Sequence, residues 1–295
     1  MSWLQLLVDT RQDTAEPLAE RLEELGALSV TFQDNADQPL FEPLPGETPL
    51  WEQTRVVALF EADADVEAVI QVLDEAFGEA LAARKVQPLE DQDWERSWLD
   101  HFQPMVFGEG LWIVPTGFEP PQPGATNIRL DPGLAFGSGT HPTTALCLAW
   151  LDRRYRRPEP PLTVIDYGCG SGILAVAAAM LGAQRVIAVD IDPQALTATR
   201  DNAERNGVAE RIETYGIDDA PQLPADLLIA NILANPLVEL APHFKQLVRS
   251  DGEVVLSGLL VEQQEAVVAA YEPEILLSEQ TQQGDWLCLA GRRKS

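Results

Sequence analysis

Beyond residue 160 the chain repeats one pattern. A short apolar run is followed by a longer stretch with apolar positions every three to four residues. The first marks a strand buried on both faces, the second an amphipathic helix. The pattern predicts strand 163–166, helix 173–181, strand 185–190, helix 193–206, a strand near 212–215, strand 226–232, helix 236–248, strand 253–257 and helix 262–271. Pro193 suits a first helical turn, and Gly207 a helix end. Two last runs, 274–277 and 286–290, lie close enough in sequence to pair antiparallel. Five parallel strands closed by such a pair make a seven-stranded mixed sheet of Rossmann-like α/β type.

The first ninety residues follow a different order. Strands are expected at 3–8, 28–32, 55–60 and 85–89, with helices at 15–25 and 66–77. Leu18, Leu22 and Leu25 share one helical face, as do Val66, Val69, Ile70, Leu73 and Phe77 on the second helix. The order βαββαβ predicts a ferredoxin-like α+β domain. Residues 34–50 are polar and rich in proline and glycine, hence a loop. Residues 90–102 predict an amphipathic helix with Trp94, Trp98 and Phe102 on one stripe, and 115–124 hold four prolines and two glycines. The expected organisation is a ferredoxin-like domain at 1–89, a linker helix and connection at 90–124, and the α/β domain at 125–295.

Composition narrows the function classes. The 295 residues are 45% hydrophobic, enough for folded cores, and no apolar run reaches the roughly 18 residues of a membrane span. The first residues, Met1-Ser-Trp-Leu-Gln, show no basic and apolar leader, and Cys147, Cys169 and Cys288 are far apart, so a cytoplasmic location is expected. Three scattered histidines with no Cys/His cluster argue against a metal site. The net charge of −27 is uneven: residues 1–100 hold 23 acids and 6 bases. That field repels nucleic acid and anionic membrane and steers basic partners.

The chemistry begins at Val164-Ile-Asp-Tyr-Gly168-Cys-Gly170-Ser-Gly172. A strand entering a glycine-rich turn, a helix, and a second strand ending in Asp190 form a nucleoside-binding half-site. The glycines admit ligand close to the backbone, and Asp190 accepts from ribose hydroxyls. The spacing is not the GxGxxG of dinucleotide enzymes, and Asp166 before it would repel a pyrophosphate. A ligand with a ribose and a positive charge but no phosphate fits better, and S-adenosylmethionine is one.

Two further segments belong to the same end of the sheet. Asn231 interrupts the strand Leu227-Leu-Ile-Ala at its carboxyl end, where ligands of doubly wound sheets bind. Its side-chain carbonyl can accept an amine N–H and aim the nitrogen lone pair. A lysine amine, with an ordinary pKa of about 10.4, must also be held neutral there. The segment 131–144 carries glycines and hydroxyls ahead of a helix at about 144–151, whose free N–H groups and threonines suit the methionine carboxylate. His141 has no partner residue in sequence that would make it a base.

Together, Asp131 to Thr144, Val164 to Gly172, Asp190-Ile-Asp192-Pro, Asp201-Asn-Ala-Glu-Arg-Asn-Gly207 and Asn231-Ile-Leu-Ala resemble the ribosomal protein L-eleven methyltransferase family, the PrmA type. The likeness extends forward through Phe41-Glu-Pro-Leu-Pro-Gly-Glu-Thr48 and Trp3, so it covers nearly the whole chain. The resemblance implies methyl transfer from S-adenosylmethionine to lysine side chains and the α-amino group of that basic ribosomal protein. It implies substrate recognition by the first domain and cofactor binding by the second. Carried over for the cofactor are Thr144, Gly168, Asp190 and Asn231, with Gly170, Phe136 and Thr140 lining the same pocket, and Asn231 doubling as the catalytic residue. Ser138 stands where relatives often have threonine. Three other readings stay open on the residues alone. One is methylation of a small amine or a glutamine, although Asn231-Ile-Leu-Ala lacks the Pro-Pro-Tyr that packs on flat amides. The others are an NAD-dependent dehydrogenase and a non-catalytic cofactor sensor.

Overall fold

The computed structural model describes residues 3–35, 50–89, 103–131 and 140–295. The chain divides into two compact units, residues 1–97 and 98–295. The expected helix with Trp94, Trp98 and Phe102 lies outside the described residues, as do Phe136, Ser138 and most of the 34–50 loop.

The first unit contains strand β1 (Trp3–Arg11), helix α1 (Gln12–Glu24), strands β2 (Ser29–Asp34) and β3 (Gln53–Glu61), helix α2 (Val66–Phe77) and strand β4 (Ala83–Leu89). The sheet order β2-β3-β1-β4, with every pair antiparallel, is the ferredoxin-like arrangement. Alternation explains its single core. Leu6 and Val8 of β1 and Val56, Ala58 and Phe60 of β3 point to one face, where Leu18 and Leu22 of α1 and Leu73 of α2 bury against them.

The second unit opens with β5 (Met105–Phe107), β6 (Leu111–Val114) and β7 (Thr126–Arg129), a small three-stranded sheet. This corrects the expected connection over 90–124. Leu111 and Ile113 are fully buried in the core of the second unit, so this stretch is part of the unit and not a tether. Next come helix α3 (Pro142–Tyr155), β8 (Thr163–Tyr167), α4 (Ile173–Leu181), β9 (Arg185–Val189), α5 (Pro193–Arg205), β10 (Ile212–Tyr215) and β11 (Ala225–Asn231). Helices α6 (Ala234–Glu239) and α7 (Ala241–Leu247), strand β12 (Val248–Leu260), helix α8 (Gln264–Tyr271) and strands β13 (Ile275–Gln283) and β14 (Trp286–Arg293) complete it. The expected single helix 236–248 is two helices. Pro242 has no N–H to give Val238, so the ladder ends there and restarts after Leu240.

The large sheet runs β10-β9-β8-β11-β12-β14-β13. Neighbours from β10 to β12 are parallel, and the β14 pairings are antiparallel. Its central strands read as continuous apolar runs because helices cover both faces: α3 and α4 on one, α6, α7 and α8 on the other. The chain crosses from β10 back over β8 to β11. That reversal creates a crevice beyond the carboxyl ends of β8 and β11, where the glycine-rich turn and Asn231 lie.

Candidate cofactor and acceptor site

Above that edge lies a cavity of ≈ 600 Å³. Gly168, Gly170, Asp190 and Asn231, all singled out from the sequence, share its wall. Gly168 sits at φ +79°, and a Cβ there would stand 2.3 Å from Ile232 Cγ2, another wall residue. Only glycine lets the β8 turn and the segment after β11 approach this closely.

The turn is held by its own amides. Gly168 and Cys169 N–H both donate to Val189 carbonyl oxygen (2.7 and 3.0 Å), and Gly172 N–H donates to Cys169 carbonyl oxygen (2.8 Å). Gly170 N–H donates to Asp190 Oδ2 (2.8 Å), and Asp192 N–H donates to Asp190 Oδ1 (2.9 Å). Four of the turn's amides are therefore engaged within the protein and do not form a phosphate cradle. Both carboxylate oxygens of Asp190 are fixed, with lone pairs left for ribose hydroxyls.

Asp166 does not work as expected from the sequence. It is fully buried, and its Oδ2 accepts from Ala175 N–H (2.9 Å) in the first turn of α4. Burial pushes its pKa up to about 7. A buried, readily neutralised carboxyl beneath the turn is a weak source of repulsion. The engaged amides, not Asp166, disfavour pyrophosphate.

Asn231 ends β11. Its Nδ2 donates to Thr144 Oγ1 (3.1 Å), which fixes the amide plane, while its Oδ1 is buried and has no hydrogen-bond partner among the described residues. A buried acceptor without a donor is costly unless something else satisfies it. An incoming N–H has that chemistry. Thr144 itself is fully buried in the first turn of α3, behind Asn231, and the threonine on the cavity wall is Thr143. Thr140 is exposed just ahead of that helix and is not among the wall residues.

His141 caps α3, which begins at Pro142 rather than near 144: Thr143 N–H donates to His141 Nδ1 (3.4 Å), and Thr143 Oγ1 lies 2.8 Å from the same atom. Burial lowers its pKa, and the positive end of the helix acts in the same direction. It packs edge-on against Trp286, with ring centroids 4.8 Å apart. Sequence reasoning missed Tyr167, Ile191, Ile217 and Trp286 on the wall. Ile191 carried a signal: an apolar residue inside the polar turn Asp190-Ile-Asp192, it is 82% exposed. Trp286 carried none, because sheet order alone brings it there.

The three cysteines are buried and free, and burial holds the Cys169 thiol well above its ordinary pKa, so none is a poised nucleophile. No cluster of metal-ligating side chains exists among the described residues. Among the described wall residues Asp190 is the one carboxylate, and the others are largely apolar. This suits a ligand with a sugar, an aromatic base and a sulfonium.

The sheet order, the turn with engaged amides and the acid fixed at the end of β9 are those of an S-adenosylmethionine-dependent methyltransferase. Comparison with known proteins gives the family. Residues 2–294 match the family model described as ribosomal protein L11 methyltransferase (PrmA). The chain is 52% identical to the ribosomal protein L11 methyltransferase of Azotobacter vinelandii over 295 residues, with full coverage of both chains. It is 52% identical to the protein of that name from Pseudomonas aeruginosa, again over both whole chains. A crystal structure of ribosomal protein L11 methylase from Lactobacillus delbrueckii subsp. bulgaricus superposes with a TM-score of 0.58 at 36% identity. It covers 66% of this chain and 100% of that one. The chain belongs to the ribosomal protein L11 methyltransferase family.

Proposed function

We propose that this protein transfers methyl groups from S-adenosylmethionine to lysine side-chain amines and the α-amino group of ribosomal protein L11. The observation that carries the reading is Asn231: a side-chain oxygen buried without a partner among the described residues, on the same wall as Gly168, Gly170 and Asp190. When bound, S-adenosylmethionine supplies an electrophilic methyl group on sulfur. Asp190 holds the ribose, Gly168 and Gly170 admit the nucleoside against the backbone, and Thr144 keeps the Asn231 amide in register. Phe136 and Thr140 are assigned to the same pocket from family resemblance. Asn231 Oδ1 accepts an N–H from the acceptor amine and turns its lone pair toward the methyl carbon. Among the described wall residues Asp190 is the one carboxylate, and the ribose takes it, so none of them holds a lysine as ammonium and desolvation favours the neutral, nucleophilic form.

The division of labour follows the two units. The first unit recognises the substrate, and the second, with its small sheet β5–β7, carries the chemistry. The acidity of the first hundred residues supports attraction of a small basic protein, and the whole-chain charge of −27 disfavours direct nucleic-acid binding. No helix among the described residues is long and apolar enough to cross a membrane, which is compatible with work in the cytoplasm. The test is steady-state methylation of unmethylated L11 by wild type and by Asn231→Ala. The reading expects kcat to fall at least a hundredfold, a larger loss than any weakening of binding of the demethylated cofactor. An unchanged kcat overturns it. Cofactor binding without transfer to any amine would favour the sensor reading.

A further inference from the structure

The cavity extends along the sheet edge, and its two ends differ. Ile217, which follows β10, and Asp190, which follows β9, line one end; Asn231 closes β11, and Trp286 opens β14 at the other. In the sheet, β14 is two strands from β11, with Trp286 level with Leu260 of β12. At about 4.8 Å per strand, the Trp286 strand lies on the order of 10 Å from that of Asn231. The nucleoside takes the Asp190 end. The end beyond Asn231 is left for the acceptor, and its wall is aromatic: Trp286 and His141, with ring centroids 4.8 Å apart.

We propose that Trp286, packed edge-on against His141, is a specificity-determining residue that stabilises the positive charge developing on a methylated nitrogen during transfer and so favours further transfer to an amine already carrying methyl groups. The inference rests on the amine-methyltransferase reading above. Each transfer forms an N–C bond and breaks the S–C bond, whose electron pair stays on sulfur. The positive charge passes to nitrogen, and a proton must leave to solvent before the next transfer. With each methyl the ammonium loses one N–H donor and gains apolar surface. A carboxylate wall would lose its hydrogen-bonded partner through this series. An aromatic wall needs no N–H: its π face attracts the charge developing on a methylated nitrogen during transfer, and its apolar area packs on the methyl groups of the neutral amine. Capping of α3 through Nδ1 holds the His141 ring in place against Trp286.

The experiment follows intact mass over time for unmethylated L11 with wild type, Trp286→Leu and Trp286→Phe. Binding of the demethylated cofactor is measured by calorimetry on the same preparations. The proposal expects Trp286→Leu to lower the ratio of the second- to the first-transfer rate about tenfold, with monomethylated amines accumulating. Trp286→Phe, which keeps an aromatic ring and is the control should the leucine variant fail to fold, should stay within about threefold of wild type. An unchanged product distribution in both variants, or one in which all transfers slow equally, overturns it. Loss of cofactor binding in Trp286→Phe also overturns it, by placing the ring at the nucleoside end. A wild-type protein that methylates no amine of L11 sinks the parent reading, which is a separate outcome.

Discussion

Replacing Gly168 by alanine tests the geometry that joins the glycine-rich turn to the acceptor segment. Two effects add at this position. The backbone is at φ +79°, where a Cβ costs about 1–2 kcal/mol. The new methyl also lands 2.3 Å from Ile232 Cγ2, and overpacking of this kind costs about 1–3 kcal/mol. Reduced freedom of the unfolded chain returns about 0.4–1 kcal/mol. The net loss for the second unit is about 1–5 kcal/mol, and the methyl or the displaced isoleucine intrudes on the cofactor's space. Gly207 provides the control: it has φ +68°, lies after α5, and nothing stands within 4 Å of a Cβ built there. Gly207→Ala therefore carries the backbone term alone. Urea unfolding followed by near-ultraviolet signal, with calorimetric titration of the demethylated cofactor, separates the two. Gly168→Ala should be at least 1 kcal/mol less stable than Gly207→Ala and should bind cofactor at least tenfold more weakly, while Gly207→Ala binds as wild type does. Equal stabilities together with equal affinities would refute the steric argument.

Other predictions follow from single observations. Asp190→Ala removes the acceptor for Gly170 and Asp192 N–H as well as the ribose contact, so the dissociation constant of the demethylated cofactor should rise about 10- to 1000-fold by calorimetry. Thr144→Val leaves Asn231 Nδ2 without its acceptor and should lower kcat at least tenfold, whereas Thr144→Ser retains the hydroxyl and most of the rate. Asp166 has a folded-state pKa raised from its unfolded value to about 7, so the native protein binds more protons than the unfolded chain over that interval. Stability contributed at this site falls as pH rises from about 4 to about 7 and stays low above. Asp166→Asn should therefore gain stability relative to wild type at pH 8 compared with pH 5 in chemical denaturation. Finally, if the acidic first hundred residues steer a basic substrate, raising ionic strength from 50 to 500 mM should raise KM for L11 several-fold and leave that for cofactor unchanged.

Local pattern carried much of the fold. Helix 173–181 and strands 185–189 and 212–215 lie where apolar periodicity and the flanking glycines place them, because a buried parallel strand and its crossover helix are each signalled within ten residues. The small sheet β5-β6-β7 was hidden, since its strands are three to four residues long and are separated by a proline-rich stretch that reads as a linker. At the site, Gly168, Asp190 and Asn231 were legible because each breaks an apolar strand at its carboxyl end. Trp286, Tyr167 and Ile217 were not. They reach the wall through the order of strands, a long-range property with no local mark. The place of Thr144 behind Asn231 likewise depends on α3 packing against β11 across 87 residues of sequence.

The central claim is that Asn231 and its neighbours present an amine of L11 to S-adenosylmethionine. The most direct measurement incubates the protein with methyl-labelled S-adenosylmethionine and total ribosomal proteins lacking prior methylation, then identifies the labelled species by mass spectrometry. The account predicts one dominant labelled protein, L11, gaining mass in steps of one methyl group on lysines or its N-terminus, with the label lost in Asn231→Ala. Label on another protein or on nucleic acid, or measurable cofactor binding with no label at all, would contradict it.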